Sequence, residues 1–197
     1  MFDKISVHME TPLNNYLANI GLTESQSEIL GSIFKESILL EKGGFFHKKN
    51  KVCRKLGFIV KGMCRYYYDT EKEEVTRWVS LKNEFVTSLH SFISQDKSQE
   101  YIQAIQPTEI LIATRQDWED LYKEEEFVRQ IWVRNIEDNY IGMENRVRNL
   151  IAMTAEERYQ WMLKNQPKFN QFVPDKYVAS MLGIEPRHLS RIRAKRK

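Results

Sequence analysis

Between residues 12 and 34 the apolar side chains fall at Leu13, Tyr16, Leu17 and Ile20, then at Ile29, Leu30 and Ile33, with Gly21 between the two groups. Steps of mostly three and four residues keep each group on one helical face, so the spacing predicts two short helices. From Ser37 to Thr114 the texture changes to short β-rich runs: Ile38-Leu39-Leu40, Phe45-Phe46, Gly57 to Val60, Cys64 to Tyr68, Val75 to Val79, Tyr101 to Ile105 and Ile110 to Ile112. Lys42-Gly43-Gly44, Lys61-Gly62, Asp69-Thr70 and Gln106-Pro107 lie between them as turn signals. Short strands at such close spacing predict an antiparallel sandwich or jelly-roll barrel rather than alternating strand and helix.

After Arg115-Gln116-Asp117 the apolar positions return to helical steps, through Phe127, Val128, Ile131, Trp132, Ile136, Tyr140, Met143, Val147, Leu150 and Ile151. A helix from Phe127 to Ile151 would be about 37 Å long, too long for a small barrel to cover one face of it. A second copy of the chain is the expected cover, packed along Phe127, Ile131, Trp132, Ile136, Met143 and Val147. Thr154 followed three residues later by Glu157 reads as a capping box that opens a new helix. That helix stops by Gln166, because Pro167 excludes helical geometry from the residue before it. The expected division is therefore 1–116 for the N-terminal helices and barrel, 117–153 for the dimerisation helix, and 154–197 for a C-terminal unit.

The twenty residues from Asp175 to Ala194 carry the most specific pattern. Two helices that cross steeply need a small residue at the crossing and a left-handed turn residue after the first helix; Ala179 and Gly183 stand at those places. Val178, Leu182, Ile184, Leu189 and Ile192 supply the shared core, and Pro186 suits the first turn of the second helix. With Leu189 and Ile192 inward, the outer face presents Arg187, His188, Ser190, Arg191, Ala194 and Lys195. Arg187 and Arg191 are the expected base readers, since arginine bonds guanine through two acceptors; His188 and Ser190 bond bases or phosphates less discriminatingly. Arg193, Lys195, Arg196, Lys197 and Lys176 are expected on phosphates, which position a protein without carrying sequence information. The pattern implies a helix-turn-helix on double-stranded DNA.

Charge supports that placement. Residues 1–153 hold 20 basic and 23 acidic side chains, whereas residues 154–197 hold 10 and 4. Six basic residues and no acidic one follow Pro186, an electrostatic footprint suited to phosphates. Cys53 and Cys64 form no CxxC pair, so buried thiols are expected rather than a disulfide framework or a zinc site. No apolar run approaches the roughly 18 residues that a membrane span needs, which implies a cytoplasmic protein with no membrane partner.

Several of these residues together resemble the Crp/Fnr family, the cyclic-AMP receptor and fumarate-nitrate regulators of bacterial transcription. Leu56-Gly57-Phe58-Ile59-Val60-Lys61-Gly62 is similar to the family's strand ending in a glycine turn. Arg65 and Tyr67 follow it, then the long helix and the helix-turn-helix in family order, with Leu189-Ser190-Arg191-Ile192 in the reading helix. The resemblance implies an α+β fold. Its N-terminal half would be a double-stranded β-helix, a jelly-roll barrel like those that bind cyclic nucleotides, followed by a long dimerisation helix and a C-terminal helix-turn-helix domain. It also implies a homodimer whose geometry responds to an effector. Cyclic-nucleotide members hold ribose and phosphate with a Gly-Glu pair and an arginine further along. Here Ser88 or Leu89 stands near the acid position and Ser98 near the arginine, so cyclic AMP is not the expected effector. A small-molecule effector of unidentified chemistry would meet Phe85, Ser88, Leu89, Lys97 and Ser98. The four-cysteine iron-sulfur cluster of oxygen-sensing members is missing too, and no cofactor is expected. Pro186 and Arg187 replace the family's frequent Arg-Glu pair, so only Arg191 carries over as a family base reader.

Enzyme chemistry finds no support, since His8, His47, His90 and His188 are scattered and no nucleophile or phosphate-loop motif appears. The aromatics Phe58, Tyr66, Tyr68, Trp78, Phe85 and Phe92 fit either an effector pocket or plain barrel core. The alternative function is a small-molecule-binding or protein-interaction module with a vestigial helix-turn-helix.

Overall fold

A computed structural model describes residues 12–195; Arg196, Lys197 and His8 lie outside the described residues. Two helices, α1 (Pro12–Asn19) and α2 (Glu24–Gly31), open the fold, as the spacing predicts. Thr23 and Gln26 close a capping box on α2 that satisfies backbone donors at its start. Eight strands follow: β1 (Glu36–Leu40), β2 (Phe45–His47), β3 (Lys55–Lys61), β4 (Cys64–Asp69), β5 (Glu74–Ser80), β6 (Phe85–Val86), β7 (Tyr101–Ala104) and β8 (Thr108–Thr114). A short helix, α3 (Leu89–Ser94), which the apolar pattern does not reveal, sits between β6 and β7.

The strands form two four-stranded antiparallel sheets, β1-β8-β3-β6 and β2-β7-β4-β5. Among the described residues no pairing joins one named sheet to the other, and closure of the expected jelly-roll barrel is not seen. Phe46, Ile59, Cys64, Tyr66, Val86, Ile102 and Ile110 are buried together between the sheets. Gly57 makes this closeness achievable: a Cβ there would lie 2.6 Å from Ile110 Cγ2 and 2.7 Å from Val86 Cγ1. A second cluster joins Leu13, Leu17 and Leu30 of α1 and α2 to Phe58, Phe92 and Trp118, covering the outer face of the first sheet. Phe58, Phe85 and Phe92 therefore belong to this cluster and Tyr66 to the core between the sheets, whereas Tyr68 is exposed.

The segment 117–153 is two helices, not one. Arg115 to Glu124 forms α4, Glu125 is extended (φ −110°, ψ 115°), and Glu126 to Ala152 forms α5. Trp118 and Leu121 bury α4 on the barrel cluster. Four helices end the chain: α6 (Ala155–Asn165), α7 (Pro167–Phe172), α8 (Asp175–Met181) and α9 (Pro186–Ala194). The Thr154 capping box is present, with Glu157 N–H donating to Thr154 Oγ1 and Thr154 N–H to Glu157 Oε2. Pro167, which ends α6, is also the first residue of α7, a helix the apolar pattern leaves out.

Cys53 and Cys64 are free and buried, and burial pushes the Cys64 thiol up to about 12. Among the described residues no helix is long and apolar enough to cross a membrane, and no three or more His, Cys, Asp or Glu residues converge to hold a metal.

Candidate DNA-binding face and effector region

Val178, Ala179, Met181 and Leu182 on one side of the turn, and Leu189 and Ile192 on the other, are buried in a single cluster that packs α8 against α9. Gly183, between the helices, has φ +67°, the left-handed conformation that glycine adopts without a Cβ penalty. The burial of Leu189 and Ile192 leaves the opposite side of α9 in solvent, and Arg187, His188, Ser190, Arg191 and Lys195 are all exposed there. Arg187 pairs with Glu185 at 2.5 Å; both side chains are largely exposed, so breaking this pair for another anion costs little. The Ser190 hydroxyl donates to Pro186 O at 3.1 Å and keeps its acceptor capacity outward. Lys176, exposed on α8, holds its ammonium 4.8 Å from the Tyr177 ring centre.

Arg193 differs from its neighbours. Its Nε donates to Tyr159 Oη at 3.0 Å, Nη1 to Asp175 Oδ2 at 2.6 Å and Nη2 to Asn170 Oδ1 at 2.9 Å. The Tyr159 hydroxyl donates in turn to Asn170 Oδ1. Burial works against the Arg193 charge, but Asp175 and Tyr159 outweigh it and hold the guanidinium above its ordinary value. The side chain expected on phosphates is instead occupied in tying α9 to α6, α7 and α8.

The long helix α5 has two apolar faces. Phe127, Ile131 and Trp132, expected at a dimer interface, pack in the chain's own cluster, with the Trp132 ring 5.1 Å from Trp118 and 6.3 Å from Phe92. Further along, Val133, Ile136, Tyr140, Met143, Val147 and Leu150 recur at alternating steps of three and four, the spacing of a coiled-coil seam. All except the half-buried Ile136 are exposed, with Tyr140 at 66% and Met143 at 55%. Ile136, Met143 and Val147 of the expected set thus lie on the seam. Val133, Tyr140 and Leu150 complete it and were legible from the same spacing.

Inside the barrel, two of the five expected effector residues meet: Ser88 Oγ lies 3.0 Å from Ser98 Oγ, both buried. Phe85 packs instead under α1 and α2, edge-on to Phe58 at 5.3 Å and to Tyr16 at 5.7 Å. Leu89 begins α3, half-buried, and Lys97 is exposed. Two residues that the sequence reading missed complete the polar group. Glu100 is buried and accepts from Ser88 Oγ at 2.8 Å, while Arg77 grips both of its carboxylate oxygens through Nε and Nη2. Burial opposes the Arg77 charge, but Glu100 holds it above the ordinary arginine value. Arg146 of α5 is held below that value, by burial first and then by the neighbouring Arg77 charge.

No protein-family model matches the chain, and no curated protein matches it either. Solved structures do. A mutant of CooA from Carboxydothermus hydrogenoformans aligns with a TM-score of 0.70 and 15% identity over 85% of this chain and 82% of that one. FixK2 from Bradyrhizobium japonicum aligns with a TM-score of 0.70 and 15% identity, covering 81% and 83%. CLP, a c-di-GMP responsive global regulator of Xanthomonas campestris, aligns at 0.66 and 12% identity, covering 86% and 90%. The chain therefore shares the fold of these structures, a two-sheet sandwich followed by helices. In particular it has the fold of the Crp/Fnr regulators, as its resemblance to that family implies.

Proposed function

We propose that the chain is a transcription regulator that binds double-stranded DNA as a homodimer, with α8 and α9 as its helix-turn-helix. The observation that carries this reading is the division of α9, which buries Leu189 and Ile192 and turns Arg187, His188, Ser190, Arg191 and Lys195 to solvent. A helix so divided fits the major groove. Arg187 and Arg191 then read base edges, His188 and Ser190 add contacts, and Lys176 and Lys195 meet phosphates. The exposed seam from Val133 to Leu150 is the surface for the second copy, and pairing there presents two reading helices to half-sites roughly 34–36 Å apart. Such a protein is a regulator rather than an enzyme and works in the cytoplasm.

The barrel responds to something other than cyclic AMP. Where a nucleotide phosphate would need a bidentate cation and backbone donors, the chain offers Ser88 and Ser98 beside a buried carboxylate, Glu100. Arg77 is already neutralised by that carboxylate. A small-molecule effector of the barrel acts only through unequal affinity for two arrangements of the reading helices.

The test is retention of random genomic DNA fragments by the purified protein at two salt concentrations, with sequencing of the bound fraction and Arg191→Ala as control. A palindrome that is recovered and then lost in the variant is the expected result. Absence of retention at either salt would overturn the reading in favour of a protein-interaction module.

A further inference from the structure

Thr76, Arg77 and Trp78 are consecutive on β5, and each is committed to a different neighbour. The register against β4 passes from Tyr66↔Trp78 directly to Tyr67↔Thr76, which makes Arg77 the extra residue of a β-bulge. Bulges re-aim side chains. Here the bulge sends Arg77 to Glu100 and over the Tyr66 ring at 4.7 Å, within the sandwich. The two flanking residues meet the C-terminal helices. Thr76 N–H donates to Ser180 Oγ of α8 at 2.8 Å, and Trp78 meets Phe169 of α7 edge-on at 4.9 Å. Arg65, beside them on β4, lies between the rings of Tyr67 at 4.0 Å and Tyr177 of α8 at 4.8 Å.

At this junction Thr76 Oγ1 is buried without a hydrogen-bond partner among the described residues, an arrangement that costs stability. Arg146 brings a second positive charge near Arg77, and Glu100 is the carboxylate paired with Arg77. Removing one partner of a buried pair leaves an uncompensated charge that must find water. The Arg77 side chain is 28% exposed and stands at the bulge between Thr76 and Trp78, so the pair with Glu100 fixes the residue that joins those two.

We propose that β5 is a relay: the Arg77–Glu100 pair inside the sandwich holds the bulge in the shape that docks α7 and α8, and loss of that pair releases those helices while the sandwich stays folded. Arg77 is thus a positioning residue for the helix-turn-helix. The consequence for DNA rests on the function proposed above; the docking itself does not.

Residue-resolved hydrogen exchange on the full chain tests it, comparing wild type with Glu100→Gln and Ser180→Ala. Both variants are expected to exchange the Thr76 amide at least tenfold faster. Glu100→Gln should also speed exchange in α7 and α8 while the β1–β8 ladder keeps wild-type rates. Wild-type exchange at Thr76 and α8 in Glu100→Gln overturns the relay. Should Glu100→Gln loosen every ladder alike, the double variant Arg77→Met/Glu100→Met, which replaces the pair with apolar volume, decides. Faster exchange confined to α7, α8 and Thr76 supports the proposal, and unchanged or uniform exchange refutes it. DNA retention is measured on the same samples, so that a wild type that binds no DNA defeats the functional reading without touching the exchange result.

Discussion

Arg191 and Arg193 lie two residues apart on α9, the first exposed and the second tied to other helices, and mutation can separate the DNA contact proposed for Arg191 from the structural tie of Arg193. Arg193→Met keeps most of the side-chain volume and removes the contacts to Tyr159, Asp175 and Asn170. The Asp175 pair is partly exposed, at 29% and 60%, so it counts on the surface scale of about 0–1 kcal/mol. The contact to the buried Tyr159 hydroxyl adds a charged hydrogen bond of about 1.5 kcal/mol or more. A loss of about 1.5–4 kcal/mol follows, which lowers the melting temperature by roughly 3–16 °C for a chain of this size. Arg191 is exposed and pairs with no acid among the described residues, so Arg191→Ala changes stability by no more than about 0.5 kcal/mol. Its cost falls on DNA, about 1–3 kcal/mol or roughly 5–150-fold in affinity for a specific site. Thermal unfolding and DNA titration at two salt concentrations, run on both variants, read the two effects. If Arg193→Met melts with the wild type and lowers DNA affinity with a salt slope smaller by about one, Arg193 is a phosphate contact and the clamp does not exist.

Three further outcomes are expected. Gly62→Ala puts a Cβ 2.4 Å from Thr108 Oγ1 and 2.5 Å from Pro107 O at φ +90°, and should cost at least about 2 kcal/mol in urea unfolding; a wild-type midpoint would count against the β3–β4 turn described. Met143→Glu places a charge in the seam and should give a monomer in sedimentation at concentrations where the wild type is a dimer, each seam residue burying about 1.5–3 kcal/mol of apolar surface; an intact dimer would move the interface elsewhere. Burial holds the Glu84 carboxyl above its ordinary 4.5, against the pull of the Leu81 amide and Lys168. Its raised folded pKa favours folding fully below 4.5, and that contribution is lost as pH rises through the folded value. Glu84→Gln should therefore raise the melting temperature at pH 7 and leave it unchanged at about pH 4; equal gains at both would exclude a charge effect.

What could be read in advance follows physical range. The Thr154–Glu157 capping box, the end of α6 at Pro167 and the left-handed Gly183 are local devices, fixed by residues within four positions of one another, and each stands where the sequence places it. The break between α4 and α5 at Glu125 has no glycine or proline to announce it; α4 is set instead by burial of Trp118 and Leu121 against the barrel. Arg77 escaped notice because its bulge interrupts the alternation on which strand reading depends. Arg193 is named from the sequence only as a phosphate contact, because its partners Tyr159 and Asn170 lie 34 and 23 residues away along the chain, on other helices.

The two apolar faces of α5 explain why helical spacing alone could not choose the interface residues. Phe127, Ile131 and Trp132 belong to the chain's own cluster, where α3 and α4 approach, and the seam emerges only from Val133 onward. Its far end meets the turn between α8 and α9, since a Cβ on Gly183 would stand 3.6 Å from Leu150 Cδ2. Leu150 thus places one methyl group beside Gly183 of the α8–α9 turn while remaining 44% exposed. In the proposed dimer the same residue closes the last layer of the seam and buttresses the turn that sets α9. The separation of the two proposed reading helices then depends on the crossing angle of α5, whose last seam residue stands beside the turn that precedes α9.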